Sequence, residues 1–306
     1  LRFHGGAVEL IHGECVAAMR GLDDASVDAI VTDPPYGIGL RGRKWDRTGI
    51  AVSVEMWREC LRVLKPGAHV AAFAATRTYH RMACAIEDAG FECRDMIAWT
   101  YGQGFPKSRH ALKPALEPIC LARKRGRSEG LNIEACRIGW AGDKARSILR
   151  KGDRGGMLLG LKPQAFVPAP GGRWPANLVL DGSAEALTVF SDSSAAARFF
   201  YCAKAGPTDR LGSKHPTVKP VSLIRWLARL IARPGGLVLD PFAGTGTTGE
   251  AAVLEGMRAL LIEREDEHAE DIAIRMANVH ASPADRRDLH RRRASDERQI
   301  GPLVRG

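Results

Sequence analysis

The sequence predicts an α/β protein, a doubly wound parallel sheet interrupted by one inserted region. Strand and helix signals alternate over the first hundred residues and again after Pro220, the pattern of successive βα units. Between about 125 and 200 that alternation stops and no hydrophobic period persists. Two Pro- or Gly-rich motifs also stand directly after apolar strands, where open α/β sheets place their ligands.

Taken in order, Ala7 to Ile11 reads as a short strand, Cys15 to Gly21 as a turn of helix and Val27 to Thr32 as a buried strand. Val52 to Leu64 is amphipathic at helical spacing and ends at Lys65, Pro66 and Gly67, which are stop residues. His69 to Ala74 is a strand, Tyr79 to Ala89 a helix stopped by Gly90, and Met96 to Trp99 and Pro118 to Ala122 are strands. Regularity resumes with a helix from Val221 to Ala232, a Pro234, Gly235, Gly236 stop and a strand from Leu237 to Leu239. A Gly-rich loop, a helix over Glu250 to Glu255, a strand over Ala259 to Ile262 and a helix from Glu267 to Val279 follow. The tail after Ser282 carries seven Arg in its last 25 residues with little apolar period, and is expected to be mobile.

The chain has 306 residues, 45% apolar and 26% charged, which excludes disordered, collagenous and coiled-coil classes. Its net charge is +10, and residues 101–220 alone carry +11. So localised an excess points to a polyanionic partner, because phosphate neutralisation dominates nucleic-acid affinity. Seven scattered cysteines match no metal spacing and read as reduced thiols, so no metal is expected. No apolar run is long enough to span a membrane, and no apolar signal region follows Leu1. A cytosolic protein with no membrane partner is expected, and the absence of an initiator Met suggests an upstream start or a trimmed one.

Asp33, Pro34, Pro35 and Tyr36 close the strand that ends at Thr32. The residue types suit chemistry on an exocyclic amine, whose lone pair is delocalised into its ring. Two acceptors, the Asp33 carboxylate and the Pro34 carbonyl, draw such an amine toward tetrahedral geometry and stabilise the positive charge that builds on it. The prolines fix the carbonyl direction, and Tyr36 offers a π-face to a base taken out of a duplex. A second motif, Asp240, Pro241, Phe242, Ala243, Gly244, Thr245, Gly246, Thr247, Thr248, follows the strand at 237, and Glu263 ends the next strand. That spacing suits a nucleoside site in which glycines admit the ligand and a carboxylate holds ribose hydroxyls. Between the motifs, His215 to Pro220 leads into a helix; Lys219 is a candidate for a ligand carboxylate, and Ser222 lies in the helix's first turn, where anions are favoured.

Taken together these motifs resemble the S-adenosylmethionine-dependent DNA amino-methyltransferases of the β arrangement, and the stretches at 172–180 and 197–204 are similar to phage and prophage members. The resemblance implies a Rossmann-like methyltransferase sheet, permuted so that the catalytic half comes first. It implies a catalytic half over 1–124, a target-recognition insert over 125–200 and a donor-binding half over 201–280, with 281–306 left as the basic tail. It implies catalytic Asp33, Pro34, Pro35 and Tyr36, and S-adenosylmethionine held by Asp240, Phe242, Ala243, Gly244, Thr245, Gly246, Glu263, Lys219 and Ser222. Glu14 stands where the family commonly has Asp, and is carried as the contact to the donor's adenine.

The expected reaction is site-specific methylation of adenine N6 in double-stranded DNA, since Asp before Pro-Pro-Tyr is commoner among adenine enzymes. Cytosine N4 is the alternative, followed by RNA or protein methylation and an inactive DNA-binding homologue. Arg123, Lys124, Arg125, Arg127, Lys144, Arg146, Arg150, Lys151 and Arg154 are the expected DNA contacts. The resemblance admits a homodimer and a companion restriction endonuclease, neither of which is readable from these residues. Trp45, in the Gly- and Arg-rich loop after the quartet, suits a lid, a DNA wedge or an anchor for the loop.

Overall fold

The computed structural model describes residues 1–39, 44–102, 104, 109–110, 112–127, 130–139, 172–183 and 199–300. Among these, ten strands form one sheet: β1 (Arg2–Phe3), β2 (Val8–His12), β3 (Val27–Thr32), β4 (Leu64–Phe73), β5 (Glu92–Thr100), β6 (Leu116–Arg123), β7 (Leu178–Leu180), β8 (Phe200–Tyr201), β9 (Leu237–Asp240) and β10 (Arg258–Glu263). Their spatial order is β1-β2-β10-β9-β3-β4-β6-β5-β7-β8. Strands β2, β10, β9, β3 and β4 run parallel, while β6 lies antiparallel between β4 and β5.

Residues of the central strands alternate between two apolar layers, as the two-residue pleat requires. Val31, Ala71, Phe73, Ile119, Leu121, Val238 and Leu261 face one layer; Ile30, Val70, Ala72, Cys120, Leu239 and Ile262 face the other. The second layer is filled by α1 (Cys15–Arg20), α2 (Val54–Val63) and α3 (Tyr79–Asp88) through Met19, Met56, Trp57, Cys60 and Ile86. A single turn, α4 (Pro207–Arg210), precedes the helices of the first layer, α5 (Val221–Ile231), α6 (Thr247–Leu254) and α7 (Asp266–Ala277), which bring Leu223, Leu227, Ala251 and Ile272. Both faces are therefore covered, as the near-continuous apolar runs in β3 and β4 anticipate.

Several boundaries move where tertiary pairing decides them. The Lys65, Pro66, Gly67 stop lies inside β4, because Leu64 pairs with Val27 and the Gly67 N–H donates to the Lys124 carbonyl. Strand β5 begins at Glu92, ahead of the expected Met96, because Glu92 and Cys93 find partners in Arg123 and Ala122 of β6. Helix α6 starts at Thr247 rather than Glu250, with Gly246 in the left-handed conformation before it. The ends of the expected insert belong to the body. Strands β7 and β8 extend the sheet beyond β5, and the Asn132 N–H donates to Leu230 at the end of α5.

The tail expected to be mobile is largely a helix, α8 (Pro283–Ile300). Two of its arginines explain the difference, since they dock it on the body instead of being solvated. Arg286 reaches Glu250 at 2.7 Å and donates to the Thr208 and Asn278 carbonyls, and Arg293 reaches Asp271 at 2.6 Å.

Candidate active site

Strands β3 and β9 are adjacent and parallel, with Ile30 opposite Leu239, so the two motifs leave the sheet side by side. Thr32 Oγ1 joins them directly by donating to Asp240 Oδ1 at 2.8 Å. The second Asp240 oxygen accepts from Thr248 Oγ1 at 2.6 Å, and the Phe242 N–H also reaches this carboxylate. Asp240 thus shapes the turn into α6. Burial pushes its carboxyl up to about 6, against those hydrogen bonds and with the Asp33 charge adding to the rise.

A cavity of about 960 Å³ opens at these strand ends, lined by the whole quartet Asp33 to Tyr36 and by Asp240 to Thr245. Gly244 and Gly246 have φ of 52° and 78°, in the left-handed region that a side chain strains. A Cβ on Gly246 would also stand 3.0 Å from Ile272, so the loop packs on α7 there. Glu263 lines the cavity and accepts from the Gly244 N–H at 2.7 Å. Burial alone would raise the Glu263 carboxyl; bonds from His268 and from the Glu265 and Gly244 N–H groups hold it below the usual range. Glu14 also lines the cavity while capping α1 through the Ala17 N–H at 2.8 Å.

At the quartet, Lys219 Nζ lies 2.5 Å from Asp33 Oδ2, 3.2 Å from Tyr36 OH and 3.4 Å from Glu117 Oε2. Burial works against the Lys219 charge, but Asp33 and Glu117 more than offset it and hold the ammonium above the ordinary lysine value. Lys219, expected at a donor carboxylate, lines the cavity and donates here to Asp33 and Tyr36, with Glu117 as a further ion-pair partner. Asp33 is one-fifth exposed, yet its Oδ1 is buried with no hydrogen-bond partner. Such an acceptor is costly to leave unmade and marks where a ligand donor belongs.

The loop after the quartet is tied down by Asp46, whose carboxylate accepts from the Gly37 and Ile38 N–H groups. Trp45, next to it, stacks on His215 with ring centroids 5.8 Å apart, and His215 meets His268 edge-on at 4.5 Å. Burial, then the neighbouring His268, pushes His215 down to about 3, so its ring is neutral at physiological pH.

Not every expected site residue joins this cavity. Ser222 pairs with Cys202 Sγ at 3.0 Å and does not line it. Arg123 is bound to Glu92 at 2.6 Å, Lys124 Nζ donates to the Leu64 carbonyl at 2.7 Å, and Arg125 and Arg127 follow them in the chain. Because β6 runs antiparallel to β4, this group sits at the opposite end of the sheet from Asp33. Lys144, Arg146, Arg150, Lys151 and Arg154 lie outside the described residues. Sequence reasoning gave no individual role to Glu117, Tyr101 or Lys204, and named His215 only as the start of the segment leading into α5. A lone acid opening the apolar strand Pro118 to Ala122 was the available signal for Glu117.

Residues 27–275 match the DNA methylase family of N6 and N4 amino-methyltransferases. The chain is 26% identical over 277 residues to the DNA adenine methyltransferase YhdJ of Escherichia coli, covering 87% of this chain and 82% of that protein. It is 26% identical over 244 residues to the type II methyltransferase M.HpaI of Haemophilus parainfluenzae, covering 78% of this chain and 64% of that one. The fold is similar to the cytosine-N4-specific PvuII DNA methyltransferase, with a TM-score of 0.58, 16% identity and coverage of 94% and 93%. It is also similar to M1.HpyAVI in its complex with S-adenosylmethionine, with a TM-score of 0.52, 19% identity and coverage of 88% and 99%. With two motifs that line one cavity at adjacent strand ends, these matches place the chain in the S-adenosylmethionine-dependent DNA methyltransferases of the N6-adenine and N4-cytosine family.

Proposed function

We propose that the chain methylates adenine N6 in double-stranded DNA, with Asp33, Pro34, Pro35 and Tyr36 as its catalytic residues. The observation that carries this is that Asp33, whose Oδ1 is buried and unpartnered, lines the cavity together with Tyr36. An extrahelical base stacks on the Tyr36 ring, and its exocyclic amine donates to Asp33 Oδ1 and to the Pro34 carbonyl. These two acceptors favour the cationic amine as it forms, and no strong base is needed. Adenine is preferred because Asp opens the quartet and because the Escherichia coli relative is named an adenine methyltransferase.

The residues present fit S-adenosylmethionine as the methyl donor: a buried carboxylate, Glu263, lines the cavity beside a glycine loop and accepts from its Gly244 N–H. When bound, that donor supplies an electrophilic methyl group. Glu263 holds its ribose, Glu14 its adenine, and Phe242, Ala243, Gly244 and Thr245 wall the site, while Asp240 and Gly246 shape the loop. Lys219 and Ser222 are not included. The DNA face is the carboxyl end of the sheet, where Arg77 and Lys204 line the cavity and Arg109 and Lys113 stand exposed on the approach to β6. Arg123, Lys124, Arg125 and Arg127, at the opposite end of β6, are left out of this face.

Nucleoside mass spectrometry of DNA from an expressing host that lacks its own base methylation tests the reading. N6-methyldeoxyadenosine is the expected product. N4-methyldeoxycytidine alone would replace adenine by cytosine, and tritiated methyl found only in RNA or protein would overturn DNA as substrate.

A further inference from the structure

Glu117 opens β6, next to β4, and no motif of the sequence gives it a role. Its Oε2 lies 3.4 Å from both Lys219 Nζ and Tyr36 OH, and its Oε1 accepts from Tyr101 OH at 3.3 Å. Lys219 is 7% exposed in its side chain and also lies 4.8 Å from the centre of the Phe73 ring, a favourable place for a cation. Its Nζ donates to Asp33 Oδ2 and to Tyr36 OH and forms an ion pair with Glu117, while Asp33 Oδ1 has no hydrogen-bond partner.

We propose that Glu117 is a positioning residue for methyl transfer: with Asp33 it holds the Lys219 ammonium between two carboxylates, so that Oδ2 stays on Lys219 while Oδ1 faces the target amine. One carboxylate and one ammonium would form a neutral pair, and Asp33 would then be a weakened acceptor. A second carboxylate leaves the cluster with a net negative charge, which favours the cationic amine of the transition state. Glu117 and Tyr36 also take the N–H groups that would otherwise compete for Oδ1. The inference rests on methyl transfer to a base amine and holds whether that base is adenine or cytosine.

The groups facing Asp33 give the proposal a sign. They are Lys219 before α5, Tyr36 in its own loop, Glu117 on β6, Tyr101 after β5 and Asp240 on β9, with Lys204 over the Tyr101 ring at 3.5 Å. Burial raises the Asp33 carboxyl, Lys219 opposes the rise, and Glu117 adds to it. Removing Lys219's charge therefore moves Asp33 up, and removing Glu117's moves it down.

Protein labelled with ¹³C at aspartate Cγ provides the test, the Asp33 resonance being assigned by its loss in Asp33→Asn. In Glu117→Gln its titration midpoint should fall, and in Lys219→Met it should rise. The acid limb of the single-turnover rate on unmethylated plasmid DNA should move with it, with the rate constant reduced about tenfold in Glu117→Gln and donor affinity by calorimetry unchanged. An unmoved or raised Asp33 midpoint in Glu117→Gln overturns the proposal, and this variant alone decides if Lys219→Met does not fold. Absence of wild-type turnover on DNA would count against the methyl-transfer reading itself and leave the titration to decide Glu117.

Discussion

Removing the Asp33 carboxylate leaves Lys219 with Glu117 and Tyr36 as partners, so Asp33→Ala keeps a compensated ammonium and should fold. Its rate of transfer should fall by about a hundredfold or more, the usual loss for a group that acts on developing charge. S-adenosylmethionine affinity measured by calorimetry on the same variant should be nearly unchanged, because no donor-binding residue is touched. Asp240 answers to pH rather than to substrate. Its folded carboxyl sits at about 6, above the unfolded value near 4, so between those values the native state holds more protons than the unfolded one. That contribution is complete below about pH 4 and is lost as pH rises through 6, on the order of 2–3 kcal/mol in all. Asp240→Asn has no such titration. Urea unfolding of both proteins at pH 4.5 and 7 should show the variant gaining on the wild type as pH rises; a difference independent of pH would mean that Asp240 stays ionised throughout.

Helix α8 acts on the donor loop through two buried arginines that share one acid. Arg275 of α7 donates to the Thr245 carbonyl at 2.6 Å and pairs with Glu250 at 2.6 Å, and Arg286 of α8 reaches the same Glu250. Glu250 is buried, so removing one partner leaves its charge under-compensated, and breaking such a pair costs about 3–5 kcal/mol. Arg286→Met should lower unfolding stability by an amount near the bottom of that range, since Arg275 remains. Donor affinity should weaken with it, because Glu250 helps to hold Arg275 on Thr245. Urea unfolding and calorimetry check the two effects; full stability in the variant would mean that α8 is merely draped on the surface.

Across the whole molecule, all functional groups placed at the cavity come from one end of the sheet, and the DNA should follow them there. Arg109→Ala with Lys113→Ala should weaken binding to any duplex and reduce the slope of log affinity on log salt by about two, one for each phosphate no longer neutralised. Arg125→Ala with Arg127→Ala should leave both quantities unchanged. Fluorescence anisotropy over a salt series measures them, and the reverse result would move the duplex to the far end of the sheet.

What the sequence determined by itself is local and periodic. The near-continuous apolar runs of β3, β4, β9 and β10 mark a sheet covered on both faces, and the Pro-Pro and Gly-x-Gly motifs mark the strand ends that carry the site, because backbone stiffness and left-handed φ are properties of those residues alone. Tertiary structure decided whatever depends on partners distant in the chain. Lys219 lies 186 residues from Asp33, and its fate was set by β3 and the start of α5 meeting over one cavity, where a buried ammonium takes the nearest carboxylates. Arg286 and Arg293 of the tail read as solvated until Glu250 and Asp271 are brought beneath them. Arg123 and Lys124 counted toward a basic patch until the antiparallel course of β6 carried them to Glu92 and Leu64. Charge is legible in a sequence, but whether it meets a counter-charge, a carbonyl or a phosphate is settled only by the path of the chain.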